Sequence, residues 1–218
     1  VDGFPSAPPL GETVLVAVPS TVITVALVGA ECSGKSTLAN ALTQALRALG
    51  HDAVLVPEYL REFCERHGRT PTLQEQCGIG AEQSRRIAGA AARHDTVVAD
   101  TTALMTAAYS NVVFGDDSLD APALAAHRHC DLTLLLGLDL PWQADRMQRD
   151  GAHMQAPVDA WLRQALDAAG LPFSVVCGDT ASRVHSALAA VRSIRARPAT
   201  VRPASSWRWR CRHCDAES

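Results

Sequence analysis

Apolar residues in this chain follow two rhythms. Short, nearly unbroken runs rich in Val, Leu and Ile occur at residues 22–28, 53–56, 96–99, 132–136 and 173–176. Runs of this kind predict strands buried on both faces, as in a parallel sheet. Between them apolar positions return every three or four residues in Ala- and Leu-rich stretches. That period predicts helices at 35–49, from the 57–63 segment to about His67, at about 72–93, at about 103–113, and at 121–129, 157–169 and 180–194. Gly50 and Gly170 stand where a helix ends. Thr70 before Pro71, or Thr72 with Glu75 three residues on, supplies the start of the third helix, which Gly78, Gly80 and Gly89 weaken. Strands alternating with helices predict an α/β, three-layer fold: a parallel sheet of about five strands with helices on both faces.

The pattern fades at both ends. Residues 1–21 are Pro-rich and lack helical period, which predicts a loose N-terminal arm with a short extended piece near residues 13–18. From residue 195 the composition shifts to Arg, Pro and Ser, which predicts a tail over 195–218. The domain is expected over 22–194. A hydrophobic content of 47% and a charged content of 20% in 218 residues suit one globular domain with a sizeable core. The net charge of −3 argues against a general nucleic-acid or membrane-surface binder. The apolar stretch 14–30 is broken by Pro19, Ser20 and Thr21 and reads as a core strand, not a membrane span. No basic segment precedes it as in a secretion signal. Seven widely spaced cysteines do not read as a disulfide framework and fit a reducing cytoplasm. The expectation is a cytoplasmic protein with no membrane or nucleic-acid partner, and with room for a homo-oligomer.

Chemistry enters at the end of the first strand. Gly29-Ala30-Glu31-Cys32-Ser33-Gly34-Lys35-Ser36-Thr37 matches G-x-x-x-x-G-K-[ST], with a strand before it and a helix after it. The glycines let backbone N–H groups wrap phosphate oxygens, and the helix start adds favourable partial charge. This assigns Gly29, Glu31, Cys32, Ser33, Gly34, Lys35, Ser36 and Thr37 to a nucleotide site. Lys35 would reach the β- and γ-phosphates of ATP, and Ser36 would face Mg2+. Lys35 is also the only lysine; every other of the 20 Lys and Arg positions is arginine. A compact ammonium fits a phosphate cradle better than a planar guanidinium does.

Other candidates gather at the carboxyl ends of the predicted strands, where α/β sheets bind ligands. Asp100 would hold Mg2+ through water, or else cap the following helix. Glu58 is the best-placed base for an acceptor hydroxyl, with Asp100 as competitor. Arg61, three residues on, would bind an acceptor or stabilise transferring charge; the plainer alternative is a solvated surface pair at a helix start. Arg146 and Arg149 follow Trp142 and share a face if helical, which suits a lid over a transferring phosphoryl group, Arg149 ahead of Arg146. Cys211 and Cys214 form half a zinc site or lie in a tail with exposed thiols.

These residues resemble the kinase domain of the NadR-type nicotinamide riboside kinases, a branch of the phosphate-loop ATPases. The resemblance spans about residues 22–192. It rests on the loop, on Glu58-Tyr59-Leu60-Arg61-Glu62, on Asp100-Thr101 after a strand, and on Pro141, Trp142, Asp145 and Arg149 in P-W-x-x-D-x-x-x-R. It implies a parallel α/β sheet and ATP-dependent phosphorylation of a ribosyl 5′-hydroxyl. Lys35, Glu58, Asp100 and Arg149 would be catalytic, Ser36 and Asp100 at the metal, and Glu58, Tyr59, Arg61 and Trp142 at the acceptor. Pro57 stands where nicotinamide-specific members carry an aromatic residue, so stacking on a pyridine would fall to Tyr59 or Trp142. The H-x-G-H signature of the adenylyltransferase domain is absent, which implies the kinase step alone. The expected function is an ATP- and Mg2+-dependent small-molecule kinase acting on a nucleoside-like acceptor. A regulatory ATPase and a nucleoside monophosphate kinase are the alternatives.

Overall fold

The computed structural model describes residues 22–142 and 151–196. In chain order these form β1 (Ile23–Val28), α1 (Lys35–Ala48), β2 (Ala53–Val56), α2 (Tyr59–His67), α3 (Leu73–Ala91), β3 (Thr96–Asp100) and α4 (Ala103–Phe114). They continue as α5 (Asp120–His127), β4 (Leu132–Leu136), α6 (Gln155–Ala168), β5 (Ser174–Val176) and α7 (Thr180–Arg195), with a short 3-10 turn, Ala152–Met154, before α6. All five predicted strands are present and pair in parallel in the order β2-β3-β1-β4-β5. The α/β sandwich read from the hydrophobic pattern is the fold observed.

Both faces of the sheet are covered. Ile23, Val25 and Leu27 of β1 join Leu134 and Leu136 of β4 against Leu38, Leu42 and Leu46 of α1 and Ala187 and Val191 of α7. Val28 and Leu135 point the other way, onto Leu104, Ala107 and Ala108 of α4 and Val158 and Leu162 of α6. This two-residue alternation within a fully buried strand explains why β1 carries no polar stripe. Leu42 is fully buried, so truncating it to Ala would cost about 2–5 kcal/mol.

Two local details follow from residue chemistry. Helix α3 runs unbroken through Gly78, Gly80 and Gly89. Its start uses the second expected signal: the Thr72 backbone N–H donates to the Glu75 carboxylate at 2.8 Å in a capping box. Helix α6 starts two residues earlier than the period suggested. Pro157 then lies in its first turn, where a missing N–H costs nothing.

Strand order places the chemistry. The chain leaves β1 toward β2 and β3 on one side, then returns to β4 on the other. The crevice where order reverses lies at the carboxyl ends of β1, β3 and β4. Asp100 pairs with Leu27 in register, two residues before Gly29. Among the described residues no helix is long and apolar enough to cross a membrane, and no cysteine is in a disulfide. The expected arm, most of the tail, Asp145, Arg146, Arg149, Cys211 and Cys214 lie outside the described residues.

Candidate functional site

The loop after β1 folds around its own lysine. Lys35 Nζ donates back to the carbonyls of Gly29 at 2.7 Å and Ala30 at 2.9 Å. The Ser33 hydroxyl donates to the Ala30 carbonyl at 2.7 Å. From outside, Tyr109 Oη accepts the Glu31 N–H at 3.1 Å, and Gln155 Nε2 donates to the Glu31 carbonyl at 2.7 Å. Gly29 has φ 151°, and a Cβ there would lie 3.1 Å from both Leu136 Cβ and Ser33 Oγ. Gly34 has φ 88° and is the N-cap of α1. Glycine is needed at both positions for backbone conformation and for space. Cys32 adopts φ 56° between them, and Thr37 is exposed on the first turn of α1.

Asp100 closes the site on the β3 side. It is 5% exposed. The neighbouring Ser36 side chain favours its ionised form, while Oδ1 is buried with no hydrogen-bond partner. Burial pushes the carboxyl above the usual range, and the nearby charge of Glu58 adds to this; Ser36, Lys35 and Arg61 oppose it. The structure thus brings Lys35, Ser36, Glu58, Arg61 and Asp100 into one electrostatic neighbourhood. Asp100 does not cap α4. That role falls to Thr102, whose hydroxyl accepts the Leu104 N–H at 3.3 Å. Thr101 between them has φ 96°, a left-handed conformation that costs a β-branched residue about 1–3 kcal/mol. Its hydroxyl is also buried without a partner.

Glu58 is the N-cap of α2, yet its side chain makes no capping bond. Its carboxylate lies 3.7 Å from Arg61 Nε, with side chains 13% and 47% exposed respectively. Tyr59 is partly buried, and the Arg86 guanidinium stands 4.4 Å over its ring. One face of that ring is therefore occupied. Arg86 is itself paired with Glu62 and Glu82. Trp142 is half-buried beyond β4, and its indole N–H is buried with no partner among the described residues.

Sequence reasoning missed three residues. Gln83, 2% exposed on α3, accepts the Tyr59 N–H at 2.8 Å and donates to the carbonyls of Pro57 at 3.4 Å and Thr101 at 3.3 Å. A signal existed: Gln83 occupies the buried stripe that carries Cys77, Ile79 and Gly80. Arg183 and Asp139 form an ion pair at 2.7 Å behind the phosphate loop. Nothing in the local pattern marks Arg183, because charged helix positions are usually exposed.

A family model described as an AAA domain matches residues 24–183. No curated protein matches the chain. Among solved structures, the fold is similar to the NadR protein in complex with NAD and AMP-PNP, at 18% identity and a TM-score of 0.62, over 84% of this chain and 52% of that one. A second NadR structure, in complex with NR, gives 18% identity and 0.63 over 84% and 53%. The thymidylate kinase from Ehrlichia chaffeensis gives 15% identity and 0.59 over 79% and 99%. The chain spans about half the length of the NadR structures. At the level of fold, the resemblance drawn from the motifs holds.

Proposed function

This chain belongs to the AAA-domain family, and we propose that within it the chain is an ATP- and Mg2+-dependent kinase of a nucleoside-like small molecule. The observation that carries the reading is the meeting at Asp100. A carboxylate beside the Ser36 side chain and under the charges of Lys35, Glu58 and Arg61 joins a phosphate-side half-site to an acceptor-side half-site.

The residues present fit a divalent cation. Ser36 offers a hydroxyl, and Asp100 offers a buried oxygen that lacks a partner, as an atom awaiting a metal-bound water would. When bound, Mg2+ would neutralise phosphate charge during transfer. Lys35 would turn from the Gly29 and Ala30 carbonyls to the β- and γ-phosphates. Glu58 would accept the proton of the attacking hydroxyl, with Asp100 remaining ionised beside Ser36. Arg61 would orient the acceptor. Arg149 retains its proposed role in a lid.

The acceptor chemistry suits a neutral or cationic group better than a phosphate. Glu58 and Asp100 line the acceptor side with negative charge, and Arg86 is committed to Glu62 and Glu82. That weighs against a nucleoside monophosphate as acceptor. The ligands of the NadR structures, NAD and NR, support a nicotinamide nucleoside as the first acceptor to test.

The test is ATP consumption across a panel of nucleosides and nucleotides. Acceptor-stimulated turnover with a nucleoside, lost in Glu58→Gln while ATP binding persists, supports the reading. ATP binding without turnover on any acceptor overturns it in favour of a regulatory ATPase. Faster turnover with monophosphates overturns the acceptor assignment.

A further inference from the structure

A buried cation stands behind the phosphate loop. Arg183, on the first turn of α7, is 2% exposed. Its guanidinium donates to the Ser33 carbonyl through Nη1. Through Nη2 it reaches the Asp139 carboxylate at 2.7 Å and the Gly137 carbonyl at 3.4 Å. Asp139 also accepts the Gly178 N–H. One ion pair therefore ties three turns together: the phosphate loop, the exit of β4 and the exit of β5.

Stability alone is a poor reason for this pair. Desolvating a guanidinium is costly, and a hydrophobic replacement is often as stable or more so. The peptide between Ser33 and Gly34 offers a better one. It is trans, so the Gly34 N–H points away from the Ser33 carbonyl. With that carbonyl drawn to Arg183, the N–H is turned to the opposite side of the peptide. Phosphate binding by such a loop depends on N–H groups turned toward the anion. The local backbone would not hold this by itself. Gly34, at φ 88°, follows the peptide directly, and glycine allows the plane to rotate. A rotated plane would present a carbonyl oxygen where the N–H had been. Packing agrees: a Cβ on Gly34 would lie 3.1 Å from Arg183 Nη1.

We infer that Arg183, anchored by Asp139, is a positioning residue that sets the Ser33–Gly34 peptide and thereby the phosphate affinity of the loop. The inference rests on the nucleotide-binding reading above. It reaches a residue far in sequence from the motif.

The experiment compares ATP with AMP, which lacks the β- and γ-phosphates, by direct binding to the full chain. The variants are Arg183→Met, Arg183→Lys and Asp139→Asn, with thermal unfolding measured beside each. ATP affinity should fall roughly tenfold to a hundredfold in Arg183→Met, while AMP affinity stays within about twofold. Asp139→Asn and Arg183→Lys should show the same selectivity to a smaller degree. If Arg183→Met does not fold, the two milder variants decide. Unchanged ATP affinity, or an equal loss for ATP and AMP, overturns the inference, because a merely structural role would weaken both ligands alike. If the wild-type protein binds neither nucleotide, the proposed function falls first and this inference with it.

Discussion

The Gln83 side chain donates to the Thr101 carbonyl at 3.3 Å and thereby braces the residue that follows Asp100. Its carbonyl oxygen accepts the Tyr59 N–H, next to Glu58. One buried amide thus joins the exits of β2 and β3, the two segments that carry the candidate carboxylates. This contact helps hold Thr101 in its left-handed φ against the local strain. Gln83→Ala leaves a backbone N–H and two carbonyls short of a buried partner. It should cost about 1–3 kcal/mol in stability and reduce kcat on the acceptor more than it alters ATP binding. Gln83→Met fills the volume without the bonds and should share the kinetic defect. Denaturant titration and steady-state kinetics on both variants check this.

Lys35 gives a second prediction. In the structure its ammonium satisfies the Gly29 and Ala30 carbonyls, so nucleotide binding requires it to exchange partners. Because Lys35 is the sole lysine, an amine-reactive reagent reports on that side chain, apart from the chain's amino terminus. ATP with Mg2+ should protect it, and AMP should protect it poorly. Peptide mapping of the labelled residue reads the outcome. Lys35→Ala should lower turnover about a hundredfold or more, the scale on which charge stabilisation acts.

Asp100 links function to a stability cost. Burial raises its carboxyl above the unfolded value, so the folded state holds that proton more tightly than the unfolded chain. The group favours folding at low pH, and this contribution is lost as pH rises from the unfolded value through the folded one. Asp100→Asn has no such titration. Its stability relative to wild type should therefore increase from pH 4 to pH 7, while its turnover drops about a hundredfold. Denaturation at several pH values, with activity at neutral pH, separates the two effects.

Most of the fold was readable from the chain because the strands are buried on both faces and the helices are amphipathic. Val25 and Leu27 needed no partner to identify them as core. The phosphate loop was equally plain, since glycine at Gly29 and Gly34 answers a local backbone demand. Asp100 and Glu58 could be placed because strand ends face the crevice in any parallel sheet. What stayed hidden depends on contacts between distant segments. Gln83 lies 18 residues from Thr101, and Arg183 lies 150 residues from Ser33. No periodicity carries such pairings. Thr102 as the cap of α4, rather than Asp100, depends on a backbone turn at Thr101 that a β-branched residue seldom adopts.

His127 provides the last prediction and shows how the buried side of the site is held. Its ring lies between the hydroxyls of Thr102, at 3.0 Å from Nδ1, and Thr133, at 2.8 Å from Nε2. It bridges the cap of α4 to β4 at 2% exposure. Burial lowers its pKa to about 4, so the folded protein keeps the ring neutral while the unfolded chain protonates below about 6.5. The stabilisation is complete above that pH and is lost as pH falls toward 4, by about 3 kcal/mol in all. Other groups oppose it: the Asp120 carboxyl, raised to about 6 chiefly by burial, favours the fold as pH falls through the same range. A wild-type profile alone would mix the two. The difference between wild type and His127→Gln isolates the ring, since the variant keeps Asp120 and loses only the titrating group. Wild type should hold its largest advantage at pH 7 and lose most of it by pH 4.5. A difference independent of pH would mean that His127 titrates alike in both states, and an advantage that grows as pH falls would mean that the ring is protonated in the fold.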